Sequence, residues 1–359
     1  MTKKVCIFTR SLQKGGAEKQ SLLLVKALKN HFKTHLVVLY GDESIDDEYK
    51  DFLLKTEINP ILLKGNLFQK FLGFLHFLRI NKINTLLCFL YSTNVVGSIA
   101  GKLCKVKHII GGARSSVYPN VTKLLVQKFL HNHVLDYTII NNKRGLENLT
   151  KKGFNSKKFI YIPNGIEINT AIAKEKNNKI INILSVGRFV EEKDYKTAIK
   201  AIACLKNIVA SGTDYQYTIV GYGKLENEIR SLITDEGLDK LVKIVINPEN
   251  VEKYYLEADI YLLTSIFEGF PNTIMEAMTY SLPIVATKVG DMDQLVKDNQ
   301  NGFIVEVGDF ESIADKLSLL INSPDKRNDM GKAGYMLLKN NFSFETFEEQ
   351  YFKFIEQLH

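Results

Sequence analysis

Cysteine is sparse in this chain, with four residues in 359. Cys6, Cys88, Cys104 and Cys204 are scattered without CxxC or Cys/His spacing, which excludes a zinc-ligand pattern and a disulfide framework and fits a reducing cytosol. Long apolar runs are also missing. No stretch reaches the roughly 18 residues that a spanning helix needs. The longest candidate, Leu67 to Ile80, is broken by Lys70, His76 and Arg79. At the N-terminus a basic start leads into an apolar run that stops at Arg10, too short for the core of a signal peptide. Neither the dinucleotide fingerprint GxGxxG nor a Walker lysine motif occurs at the strand-to-helix turns. Internal repeats and low-complexity tracts are absent as well.

What remains is an ordinary globular composition, 45% apolar and 24% charged, in a chain too long for one typical core and suited to two domains. The net charge of +7 hides an asymmetry. Residues 1–165 carry 26 Lys and Arg against 10 Asp and Glu, whereas residues 166–359 carry 21 against 30. A strongly basic half reads as a surface for nucleic acid or anionic lipid. A merely lysine-rich composition is the plainer reading.

Short apolar runs alternate with amphipathic stretches throughout. In the first half they are Val5–Thr9, His35–Tyr40, Thr85–Tyr91, His108–Gly111, Tyr137–Asn141 and Phe159–Ile162, with helix-like segments such as Ala17–Asn30 and Thr93–Lys105 between them. In the second they are Ile181–Gly187, Tyr217–Gly221, Val242–Ile246, Ile260–Thr264, Pro283–Thr287 and Gly302–Val305. Near-continuous apolar strands separated by helices predict parallel sheets buried on both faces. Two such series predict two doubly wound α/β domains. Turn chemistry at Pro163-Asn164-Gly165 and the polar stretch Glu167–Lys179 set the boundary near 165–180. The expected division is 1–165, 166–341 and an amphipathic C-terminal helix, 342–359, which folds back across the boundary.

Sheets of this kind bind ligands at the carboxyl ends of their strands. The first turn holds Gly15-Gly16-Ala17-Glu18, where a backbone can approach a phosphate beside a helix N-terminus; a plain tight turn reads equally well. The turn after Ile181–Val186 carries Gly187-Arg188 and Lys193. Two cations past a buried strand end can hold a diphosphate, unless they only pair with Glu191 and Glu192. The segment Ser265 to Met278 is the most informative. Gly269 and Pro271 force a tight loop, Asn272 or Thr273 can cap the next helix, and Glu268 and Glu276 can bracket a ligand rich in hydroxyls. A glycosidase also needs two carboxylates, but seldom a phosphate-ready helix end with a cation pair nearby.

Glu268 to Glu276, with Gly269-Phe270-Pro271-Asn272 between, resembles the E-x7-E signature of retaining glycosyltransferases of family 4. The resemblance covers nearly the whole chain. Gly15-Gly16-Ala17-Glu18 looks like that family's N-terminal glycine loop, Ile162-Pro163-Asn164-Gly165-Ile166 its interdomain crossing, Val186-Gly187-Arg188 with Lys193-Asp194 its diphosphate motif, and Ile219-Val220-Gly221-Tyr222-Gly223 its next strand end. It implies the GT-B fold, two Rossmann-like domains facing across a cleft, with a nucleotide-diphosphate sugar held mostly by the second. It also implies roles. Glu276 would hold the ribose. Asn272 and Thr273 would offer backbone N–H groups to the phosphates. Glu268, Gly269 and Phe270 would lie beside the sugar, while Arg188 and Lys193 would stabilise the leaving diphosphate, so that no metal or other cofactor is needed. Uridine is the common base.

Two stretches depart from that pattern. Many relatives carry a histidine where Ile110-Gly111-Gly112-Ala113-Arg114-Ser115-Ser116 stands here, so Arg114 is the candidate to replace it. Val245 to Asn250 replaces a glycine-containing loop that often contacts the base. The Phe/Leu-rich segments Leu67–Arg79 and Lys123–Leu130, with basic flanks, read either as core helices or, together with the basic half, as a peripheral membrane surface. The resemblance points toward bacterial enzymes that extend glycans, often lipid-linked, for surface polysaccharides. The expected partners are a nucleotide-sugar donor, a glycan or polyprenyl-linked glycan acceptor and an anionic membrane at the inner face of the cell membrane. Nucleic acid is not expected, because it would explain the basic half but not the C-terminal motifs. The competing functions are a GT-B epimerase, a phosphorylase, for which no pyridoxal lysine site is found, and a non-catalytic nucleotide-sugar-binding protein.

Overall fold

Alternation along the first strand shows how the chain builds its layers. In β1 (Lys4–Thr9), Val5 and Ile7 enter one apolar cluster, while Cys6 and Phe8 enter another on the opposite face. A strand buried on both sides needs helices on both sides, and the sequence supplies them between strands. The computed structural model describes residues 3–114, 117–118, 120–168, 180–209 and 214–358. They fall into two units, Met1–Ile166 with Phe344–His359, and Glu167–Ser343.

The first unit has a seven-stranded sheet. Its strands are β1, β2 (Lys33–Val38), β3 (Ile61–Leu62), β4 (Thr85–Cys88), β5 (His108–Ala113), β6 (Tyr137–Ile140) and β7 (Phe159–Tyr161). The spatial order is β3-β2-β1-β4-β5-β6-β7, and every pairing is parallel. The order reverses direction between β1 and β4. The helix Phe344–Gln357 packs on the helix Gly16–Leu28, with Phe347, Tyr351, Phe354 and Ile355 buried in the same cluster as Val5 and Ile7. Of the Phe/Leu-rich segment 67–79, Phe74 and Leu78 lie in the core, at 0% and 2% exposure.

The second unit has six strands: β8 (Ile181–Arg188), β9 (Tyr215–Tyr222), β10 (Val242–Ile246), β11 (Ile260–Leu263), β12 (Ile284–Thr287) and β13 (Gly302–Val305). The order is β10-β9-β8-β11-β12-β13, again all parallel, and it reverses between β8 and β11. The two doubly wound parallel sheets are those expected from the apolar runs. β3 was not anticipated, because two half-buried residues carry no readable period. Of the expected linker only Glu167 and Ile168 are among the described residues, and Ser115 and Ser116 also lie outside them.

Candidate functional site

The direction of a doubly wound sheet reverses where two neighbouring strands send their chains to opposite sides, which leaves a crevice at their carboxyl ends. In the second unit those strands are β8 and β11. Gly187 and Arg188 end β8 and Lys193 follows in the loop that leaves it, while Glu268 to Pro271 lie in the loop after β11 and Asn272 opens the next helix.

Backbone contacts tie the two loops. Ile266 N–H donates to Glu192 O at 2.9 Å, and the Thr264 hydroxyl lies 3.0 Å from both Lys193 O and Asp194 O. Asp194 turns the chain with φ 45° and caps the helix Tyr195–Ile208, accepting from Thr197 N–H and hydroxyl. Lys193 and Glu268, 75 residues apart, are thereby brought together: Lys193 Nζ donates to Glu268 Oε1 at 2.5 Å. Their side chains are 17% and 14% exposed. Ser265 Oγ donates to the same carboxylate oxygen at 2.8 Å. Lys193 thus pairs with Glu268 rather than with Glu191 or Glu192. Arg188 ends β8, is exposed, and among the described residues pairs with no carboxylate.

Gly187 and Gly221 face each other in the β8–β9 register. A Cβ on Gly221 would stand 1.9 Å from Gly187 O and 2.7 Å from the Phe189 ring. The glycine at 221 is therefore required by close approach of the chain to itself. A Cβ at 187 would meet Lys193 Cε at 3.2 Å, so Gly187 gives the lysine stem its path.

After β11, Gly269 leads into Phe270, which is buried against Phe342 at 5.5 Å. The following helix is Asn272–Thr279. Its N-cap is Pro271, with no side-chain cap bond, rather than Asn272 or Thr273. Proline locks its own backbone next to the helix start, so those two residues fall within the first turn, where N–H groups lack intrahelical partners. Glu276 lies one turn further along, half-buried, and accepts from the Tyr255 hydroxyl at 2.9 Å. Burial, with Glu276 beside it, holds the Tyr255 phenol well above its usual ionisation range.

In the first unit Gly15 precedes the helix Gly16–Leu28. Its N–H donates to Tyr49 Oη at 3.1 Å, and Tyr49 donates back to Gly15 O at 2.7 Å. Burial raises the Glu18 carboxyl above the ordinary carboxylate range. Arg114 follows β5. Its Nη1 donates to Asn164 Oδ1 at 2.9 Å, its Nη2 approaches the Tyr351 hydroxyl at 3.5 Å, and its guanidinium lies 4.6 Å over the Phe89 ring. Asn141 donates to the same Asn164 oxygen, and Gln20 makes two hydrogen bonds with the backbone of Gly165. Arg114, in the first unit, is thus joined to the Pro163-Asn164-Gly165 turn, while the cation pair and both glutamates belong to the second unit.

Four partners escaped the sequence reading: Ser265, Tyr255, Asn164 and Gly290. Gly290, at φ 50°, sits where a Cβ would stand 2.3 Å from Glu268 O. Ser265 lies three residues before a candidate carboxylate and was within reach of local reasoning. Tyr255 and Gly290 carry no local signal. Among the described residues no group of His, Cys, Asp and Glu could hold a metal ion.

Residues 167–336 match the glycosyl transferases group 1 family. The amylovoran biosynthesis glycosyltransferase AmsK of Erwinia amylovora is 30% identical over 245 residues, which are 63% of this chain and 59% of that protein. The N-acetylgalactosamine-N,N'-diacetylbacillosaminyl-diphospho-undecaprenol 4-alpha-N-acetylgalactosaminyltransferase of Campylobacter jejuni is 28% identical over 345 residues, 90% of this chain and 92% of that one. Among solved structures, Anabaena Alr3699/HepE in complex with UDP-glucose superposes with a TM-score of 0.84 at 20% identity, over 99% of both chains. Residues 167–336, just under half of the chain, are thus similar to the glycosyl transferases group 1 family, the chain spans about three fifths of the length of AmsK, and the two parallel sheets are the Rossmann-like domains of the GT-B fold.

Proposed function

We propose that this chain is a retaining glycosyltransferase of family 4. It transfers a sugar from a nucleotide-diphosphate donor, a UDP-sugar, to a glycan or polyprenyl-linked glycan during surface polysaccharide synthesis. The observation that carries this reading is the Lys193–Glu268 pair, set at the reversal point of the sheet within the segment matched by the group 1 family. In the transfer, the anomeric bond to phosphate breaks and a bond from the acceptor hydroxyl forms on the same face. The hydroxyl proton goes to the departing diphosphate. Negative charge then grows on phosphate oxygen. Arg188, exposed at the strand end, and Lys193, with three donors on one ammonium, are the groups suited to stabilise it. Glu268, anchored by Ser265 and Lys193, faces the sugar, and Glu276 faces the ribose. The backbone N–H groups at Asn272 and Thr273 receive the phosphates beside the positive end of their helix. Because these cations and N–H groups supply the positive charge, no metal cofactor is assigned.

The acceptor's lipid is reached by peripheral contact with the anionic inner face of the cell membrane, through the first unit. Three successive helices there keep large apolar side chains exposed. Leu67, Phe68, Leu72 and Ile80 lie on Leu67–Asn81, Ile99 and Leu103 on Tyr91–Leu103, and Val121, Leu125 and Phe129 on Val121–Phe129. Residues 1–165 carry 26 Lys and Arg against 10 Asp and Glu, an excess of positive charge that complements anionic lipid. No helix among the described residues is long and apolar enough to cross a membrane.

The test is a donor screen with the purified protein. UDP-, GDP- and ADP-sugars are offered with a polyprenyl-diphosphate-linked acceptor, and the anomeric configuration of the product is read by NMR. Transfer with retained configuration from one donor class supports the reading. Inverted product, or epimerised donor without transfer, overturns it.

A further inference from the structure

Glu276 does not hold its position alone. The Tyr255 hydroxyl that donates to its Oε2 comes from the short helix Glu252–Glu257, which precedes β11, whereas Glu276 lies on the helix after β11. Tyr280, the C-cap of the same helix, follows Glu276 by four residues. Its ring lies nearly parallel to that of Tyr255, with planes 6° apart and centroids 5.5 Å apart. Tyr261 of β11 lies 5.9 Å from Tyr255 at 23°. The Tyr255 ring is therefore gripped by two others while its hydroxyl meets the carboxylate, and the residue is 3% exposed. A buried phenol beside a carboxylate stays neutral at physiological pH and can only donate to it.

We propose that Tyr255 is a positioning residue for the nucleotide. By anchoring one oxygen of Glu276 it fixes the direction from which that carboxylate meets the ribose hydroxyls. A glutamate side chain has three rotatable bonds, and holding it in one orientation before the ligand arrives removes an ordering cost from binding. The inference rests on the assignment of Glu276 to the ribose.

Calorimetry can separate the two. Wild type is first titrated with UDP, GDP and ADP, and the tightest ligand is carried forward with its 2′-deoxy and 3′-deoxy forms. Tyr255→Phe keeps the ring stack and removes only the hydroxyl. We expect it to weaken the ribonucleotide about tenfold, the scale of one hydrogen bond to a charged group. It should weaken the deoxy form that wild type disfavours by less than about twofold, so that discrimination collapses as it does in Glu276→Ala. Tyr217→Phe is the control: it removes another fully buried hydroxyl of this unit, bonded to Ser185 at 2.8 Å, and should leave discrimination unchanged. Equal losses for ribo and deoxy ligands in Tyr255→Phe would reduce the residue to structural support and overturn the proposal. Discrimination lost in Glu276→Ala but kept in Tyr255→Phe would overturn it too, leaving the Glu276 assignment intact. Discrimination kept in Glu276→Ala would sink that assignment and the proposal with it. If Tyr255→Phe melts too low to titrate at room temperature, wild type and variant are titrated together at a temperature below its melting transition, and undiminished discrimination there overturns the proposal.

Discussion

Lys193 has two obligations, to Glu268 in the resting protein and, on the proposed reading, to a diphosphate during turnover. Lys193→Ala and Arg188→Ala should each lower turnover at least 100-fold, roughly 3 kcal/mol of charge stabilisation. Because Lys193 and Glu268 are in direct contact, the double variant Lys193→Ala/Glu268→Ala should lose much less than the product of the single losses. Steady-state rates on folded variants decide this, and near-wild-type turnover in both cation variants would remove the assignment. The two glutamates should separate in binding. Glu276→Ala weakens the free nucleotide diphosphate and Glu268→Ala leaves it nearly intact, which calorimetry reads directly. At this scale the sequence revealed the charged residues but not their arrangement. Strand ends and loop glycines point at Arg188, Lys193, Glu268 and Glu276 because those signals are local. Tyr255 was invisible, and Asn164 was read only as turn chemistry and not as the partner of Arg114, since the partners lie 21 and 50 residues away and no spacing rule connects them.

Helices were legible as apolar periods, but which side of each faces the core was not. Segment 67–79 shows this best. Its eight Leu and Phe are spread around the helix rather than confined to one face, so periodicity could not say that Phe74 and Leu78 turn inward while Leu67, Phe68 and Leu72 turn outward. The membrane reading therefore has a sharper test than the segment alone suggests. Vesicles with anionic lipid should bind the protein more tightly than neutral ones, and salt should weaken that binding without abolishing it. Replacing Leu67, Phe68 and Leu72 with serine should remove most of the binding that survives high salt, with thermal stability little changed; sedimentation with vesicles measures it. Phe74→Ser, in contrast, should unfold the unit. For the C-terminal helix, Phe347→Ala should cost about 3–5 kcal/mol in denaturant titrations, because Phe347 is 2% exposed and lies on Gly165 and Tyr351. A cost below about 1 kcal/mol would mean that the helix does not contribute to that core. Strand boundaries were readable to within a few residues wherever both faces were apolar. The π-turn Leu130–Val134 was not, for it exists to place His131 between Thr138 and Asn155.

Across the whole molecule, ionisation is unevenly distributed. His35, His108 and His131, all in the first unit, are held below the ordinary histidine range, chiefly by burial. The unfolded chain therefore binds more protons than the folded one as pH falls below about 6.5. Stability from these groups is fully present above that value and is lost as pH drops toward their folded values. Denaturant midpoints of the first unit should fall between pH 7.5 and 5 while those of the second, which contains no histidine, stay nearly level. Parallel curves would refute this. The discontinuity of the first unit also bears on how the chain is made. A ribosome delivers residues in order, and the helix that seals the first core is translated only after the whole second unit. The second unit, continuous from Glu167 to Ser343, can finish folding while the first still lacks its closing piece. Order of synthesis and order of completion are then reversed. A stalled nascent chain ending near Ser343 should yield a protease-resistant second unit attached to a first unit that is still readily cut.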